Sequence, residues 1–155
     1  MRVKICGITR LEDALLAEAL GAFALGFVLV PGSRRRIAPE AARAIGEALG
    51  PFVVRVGVFR NQPPEAVLRL MEEARLQVAQ LHGEEPPEWA EAVGRFYPVI
   101  KAFPLEGPAR PEWADYPAQA LLLDGKRPGS GEAHPRAGAK LRALFARLAS
   151  LRMEG

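Results

Sequence analysis

The sequence predicts a parallel α/β domain. Short apolar runs rich in Val, Ile and Leu alternate with longer stretches whose apolar residues recur at helical spacing, the pattern of repeated β-α units. Proline and glycine punctuate the junctions. The polar residues that interrupt the apolar runs stand at their C-terminal ends, the edge at which parallel sheets bind ligands.

In chain order, the first strand is expected over 3–6, closing on Cys6 and Gly7. A helix follows over 11–20, with Thr9-Arg10-Leu11-Glu12 read as a capping box before it and Gly21 as its stop. The second strand, 22–30, leads to Arg34, Arg35 and Arg36. Helices over 39–49 and 64–76 each begin at a proline, whose missing N–H is harmless in a first turn. They flank a third strand, 52–59, after which Asn61 and Gln62 follow. The fourth strand, 77–82, carries Gln80 and His82 at its end, and a shorter helix is expected over 88–96. A fifth strand, 98–102, holds Lys101, and a sixth, 120–124, ends on Asp124. Four prolines and a glycine in 104–117 leave any helix there poorly signalled. Beyond a Gly- and Pro-rich stretch, 125–138, a last helix over 140–152 would carry Leu141, Leu144, Phe145, Leu148 and Leu151 on one face.

Composition narrows the class. A chain of 155 residues, 49% apolar and 25% charged, reads as one domain spanning 1–155 and excludes two large ones. The single cysteine excludes a disulfide framework and suits a reducing compartment. No window approaches the roughly 18 consecutive apolar residues of a membrane span, and the N-terminus has no signal-like apolar region, so a cytoplasmic protein without a membrane partner is expected. The 21 basic and 18 acidic residues are dispersed, and no aromatic residues interleave with the basic ones, which argues against nucleic acid. One Asn and one Cys suit a heat-adapted protein, and biased codon usage accounts for them equally well. No phosphate-loop motif, dinucleotide fingerprint or spaced metal-ligand cluster occurs, so neither a cofactor nor a metal is expected.

Period-2 alternation favours a barrel. On the first strand Val3 and Ile5 would face helices while Lys4 and Cys6 face inward, and on the sixth Leu122 and Asp124 would face inward. A thiol and a carboxyl would then share one mouth. An acid and a base across a substrate can move protons at carbon without a cofactor.

These residues resemble a known family. Lys4-Ile5-Cys6-Gly7-Ile8-Thr9, Gly26-Phe27-Val28, Ser33-Arg34-Arg35-Arg36-Ile37, Val56-Gly57-Val58-Phe59, Gln80-Leu81-His82-Gly83, Ile100-Lys101-Ala102, Leu122-Leu123-Asp124 and Gly129-Ser130-Gly131 occur in the order found in phosphoribosylanthranilate isomerases of tryptophan biosynthesis. The resemblance implies a (β/α)8 TIM barrel and an Amadori rearrangement of a phosphorylated small-molecule substrate. It implies Asp124 as the general acid, held protonated by an apolar site, and Cys6 as the general base acting as thiolate. Arg35 would pair with the anthranilate carboxylate, and Gln80 and His82 would line the mouth.

The likeness has a gap. The family's seventh and eighth strands, with the Gly-rich loops that hold the substrate phosphate, have no counterpart, as if an internal segment were lost and the flanks rejoined near Lys140-Leu141. Barrels of this type run about 250 residues and rarely below about 200. An incomplete barrel of six parallel strands plus a C-terminal helix is therefore expected, with open sheet edges inviting homo-oligomerisation. The alternative to an active isomerase is a shortened, catalytically weak scaffold of the same family that self-associates.

Overall fold

The computed structural model describes residues 2–104 and 110–125. The element order is β1 (Lys4–Cys6), α1 (Leu11–Ala19), β2 (Ala24–Val28), α2 (Pro39–Ala48), β3 (Val54–Phe59), α3 (Pro64–Glu73), β4 (Val78–Leu81), α4 (Pro87–Gly94), β5 (Val99–Pro104), a 3-10 helix (Pro111–Asp115) and β6 (Ala120–Asp124). All six expected strands and the first four helices are present. The expected helix over 140–152 and the Gly129-Ser130-Gly131 turn lie outside the described residues. Most strands are shorter than the apolar runs that announced them. Leu29 and Val53, for example, are buried just outside β2 and β3, because apolar character records burial and not ladder hydrogen bonding.

The strands lie in chain order in one sheet, and the four pairings from β1 to β5 are parallel. This β-α succession is the expected incomplete (β/α)8 TIM-barrel class, with six strands among the described residues. Register fixes the faces. Cys6, Gly26, Val56 and Val78 form one lateral row, and Val28, Val58, Gln80 and Ile100 form the row two residues further along the strands. Lys4, Ala24, Val54 and Val78 line a cavity of about 360 Å³ at the strand starts. Ile5 instead lines a cavity with Leu16, Ala17 and Leu20 of α1 and its end. Lys4 and Ile5 thus line different cavities, while Val3 lines both.

The chain divides into two compact units, Met1–Ala102 with Pro117–Leu121 and Phe103–Tyr116 with Leu122–Gly155. In the first, Leu25, Phe27, Phe59 and Leu81 on the sheet and Val67, Met71 and Val93 on the helices are almost fully buried. Gly57 sits in this layer, and a Cβ there would lie 2.9 Å from atoms of Leu76, Met71 and Phe59. In the second unit Phe103 stacks on Trp113 at 4.7 Å and meets Tyr116 edge-on at 5.6 Å. That packing is the reason a short helix forms in the proline-rich stretch, where backbone signals alone were weak.

The helix ends show one success and one correction. Gly21, at φ +83°, closes α1, with its N–H donating to the Glu18 carbonyl (2.9 Å) and the Ala22 N–H to the Ala17 carbonyl (2.9 Å). The capping box is absent. Arg10 holds the N-cap position without a side-chain bond, so Thr9 and Glu12 fall one place out of the register that the box requires. Prolines 39, 64 and 87 occupy the first turns of α2, α3 and α4.

The Gly57→Ala substitution tests the tight layer. Overpacking against three side chains should cost about 1–3 kcal/mol, seen as a lower urea midpoint with an unchanged slope.

Candidate active site

Cys6 is the last residue of β1, and its seat is built from glycine. A Cβ at Gly26, its register partner on β2, would stand 2.8 Å from Cys6 Sγ, so only glycine leaves room for the thiol. Gly7 follows with φ +90°, a conformation that disfavours side chains. A Cβ there would also meet Arg35 Cδ at 2.7 Å and Nη1 at 2.8 Å. The Gly7 and Ile8 N–H groups both donate to the Gly26 carbonyl, at 2.9 and 3.0 Å, which turns the chain sharply beyond the thiol. Cys6 itself is half-buried.

Arg35 is exposed and lies against that turn, its Nη1 donating to the Cys6 carbonyl at 3.2 Å. Its own loop is held by Ser33, whose Oγ accepts from the Arg35 N–H (3.2 Å) and whose carbonyl accepts from the Arg36 N–H (3.1 Å). The structure thus brings the Arg35 guanidinium to the backbone of Cys6. Arg34 and Arg36 are exposed, as expected of solvated neighbours.

On β4, Gln80 is 1% exposed and stands two residues beyond Val78, which ends the lateral row of Cys6. Its amide lies 2.8 Å from His82 Nδ1. His82, half-buried, is tied to the end of β3 by its N–H donating to the Phe59 carbonyl (2.8 Å). Asp124, half-buried at the end of β6, belongs to the second unit, where its Oδ1 accepts from the Gly125 N–H at 2.9 Å.

A buried ion pair at the ends of β3, β4 and β5 escaped the sequence reading. Lys101 (2% exposed) donates from Nζ to Glu85 Oε2 and to the Gly83 carbonyl, both at 2.6 Å, and Glu85 is 4% exposed. Glu85 also accepts from the N–H groups of Gly83 (2.9 Å) and Asn61 (2.9 Å). Asn61, in the left-handed region at φ 55°, accepts at Oδ1 from the Glu84 N–H (2.7 Å). Burial raises the Glu85 carboxyl toward its neutral form, but the Lys101 ammonium and the donated backbone N–H groups outweigh it and hold it below the usual 4.5. The available signal was Lys101, a cation closing an apolar strand that had to find an acid nearby.

Among the described residues no group of three or more His, Cys, Asp or Glu side chains could hold a metal ion, and no helix is long and apolar enough to cross a membrane.

The family model for N-(5′-phosphoribosyl)anthranilate isomerase matches residues 3–135. The chain belongs to this family. Among curated members, the isomerase of Deinococcus radiodurans is 43% identical over 140 residues, which are 85% of this chain and 66% of that protein. The chain therefore spans just under two thirds of that relative's length. Among solved structures, the phosphoribosyl anthranilate isomerase of Thermus thermophilus is 92% identical with a TM-score of 0.89, covering 95% of this chain and 72% of the other. Another isomerase structure, in complex with reduced 1-(o-carboxyphenylamino)-1-deoxyribulose 5-phosphate, is 39% identical with a TM-score of 0.71, covering 82% and 76% respectively.

The buried pair has a pH signature. Because the folded carboxyl of Glu85 titrates below its ordinary value, its stabilisation is complete above that value and is lost as pH falls through the folded one. Glu85→Gln should cost about 3 kcal/mol or more at pH 7, and the gap between the two chains' urea midpoints should close on acidification. A gap that stays constant from pH 7 to pH 3 contradicts this account.

Proposed function

We propose that the chain carries a phosphoribosylanthranilate isomerase site, converting N-(5′-phosphoribosyl)anthranilate into 1-(2-carboxyphenylamino)-1-deoxyribulose 5-phosphate. The observation that carries this reading is the glycine-built seat of Cys6 with Arg35 folded over it. Those residues fall on the family's matched segment, and a relative that binds the reduced product supports the substrate class.

The chemistry moves protons only. Asp124 protonates the ribose ring oxygen, the C1′–O bond opens, and the anthranilate nitrogen forms a Schiff base with C1′. Cys6 then removes the proton from C2′, and the electron pair forms an enolamine whose tautomerisation gives the ketone. No oxidant, metal or cofactor enters the balance. Arg35, fixed by the Cys6 carbonyl, offers a charge-assisted contact to the anthranilate carboxylate. Gln80 and His82 complete the wall of the mouth. A thiol used as a base suits a reducing cytoplasm.

A second reading has its own support. Leu16 and Leu20 on α1 and its end are 59% and 79% exposed, and Phe52 is 91% exposed. Such apolar surface favours self-association of a shortened, weakly active scaffold.

Loss of anthranilate fluorescence on incubation with phosphoribosylanthranilate tests the enzyme. Cys6→Ala and Asp124→Asn should each lower kcat by about 100-fold or more, and Arg35→Met should raise KM by about tenfold or more. A native rate equal to that in buffer sinks the isomerase reading. Light scattering addresses the second reading, which a monomer at all concentrations would eliminate.

A further inference from the structure

Gln80 is one of the few buried polar side chains of the sheet, and its lateral neighbours Val58 and Ile100 offer no side-chain hydrogen bond. Its amide meets His82 Nδ1 at 2.8 Å, with spacing i, i+2 placing both on one face of the strand. A hydrogen bond this short has two possible senses. Either the Gln80 amide N–H donates to a bare Nδ1, or the amide is reversed and a protonated Nδ1 donates to its oxygen.

The surroundings choose between them. In the first sense Oε1 alone is left buried without a partner, which is how the amide stands. In the second, a buried NH2 group would take that place without a partner. Orphaned buried N–H donors are rarer than under-satisfied carbonyl oxygens.

We propose that Gln80 is a positioning residue that fixes the neutral His82 ring with its proton on Nε2. The Nδ1 lone pair is then engaged by Gln80, and Nε2 carries the hydrogen. His82 acts as a hydrogen-bond donor to an oxygen acceptor, and removal of the C2′ proton stays with Cys6. This consequence for catalysis rests on the isomerase reading. The tautomer itself does not.

Long-range proton–nitrogen NMR correlations of the imidazole, recorded near pH 8 on a His134→Gln background that leaves one histidine, read the tautomer directly. The native ring should show a single form, protonated at Nε2 and bare at Nδ1. Gln80→Glu replaces the donor by an acceptor and should reverse the ring to the Nδ1–H form, lowering kcat about tenfold. Gln80→Met should give a mixture of both forms. A native ring protonated at Nδ1, or averaged between forms, overturns the proposal. So does a Gln80→Glu ring unchanged from native, and if circular dichroism shows that variant unfolded, a single unchanged form in Gln80→Met overturns it equally. A native chain with no isomerase activity but the expected tautomers would leave the assignment of Gln80 intact and remove the isomerase reading.

Discussion

Cys6 and Gly26 stand opposite each other in the β1–β2 ladder, and much of the candidate site follows from that pairing. Parallel pairing in chain order puts the C-terminal ends of β1 to β5 on the same edge, so the turns that follow them contribute to one surface. The pairing then demands glycine at 26, because anything larger would collide with the thiol. The Gly26 carbonyl in turn accepts the two N–H groups that bend the chain at Gly7. That bend leaves the space into which Arg35 folds. Ladder, glycine, turn and guanidinium are therefore one connected structure and not four separate features.

The Glu85–Lys101 pair plays a different part. Two charges left only 4% and 2% exposed are costly to desolvate, and the pair is supported by the Asn61 and Gly83 N–H groups on Glu85 and by the Gly83 carbonyl on Lys101. It ties the loops after β3 and β4 to β5, next to the turn that carries His82. A polar clamp suits a junction of strand ends, since hydrogen bonds fix direction where apolar contacts fix only proximity.

The strand ends were legible because a polar residue closing an apolar run is conspicuous in a sequence, as Cys6, Gln80, Lys101 and Asp124 are. Glu85 was not, since one glutamate in a polar loop looks like any other until a lysine from another strand reaches it. The capping box failed for a related reason. Thr9 and Glu12 had the right spacing, but the Gly7 turn delayed the helix start to Leu11 and moved both out of register. The 3-10 helix at Pro111–Asp115 depends on the stacking of Trp113 on Phe103, a contact invisible to local propensity.

Hydrophobic periodicity and the placement of Gly and Pro determined the β-α order, the inward face of the strands and the residues at their ends. These are local properties, written at spacings of two to four residues along the chain. Only the tertiary structure decided which strand ends meet, which carbonyl holds Arg35, which acid answers Lys101 and which nitrogen of His82 faces Gln80. Those outcomes depend on lateral register between strands and on backbone approaches of a few ångströms, and residues distant in sequence acquire them only when the sheet has formed.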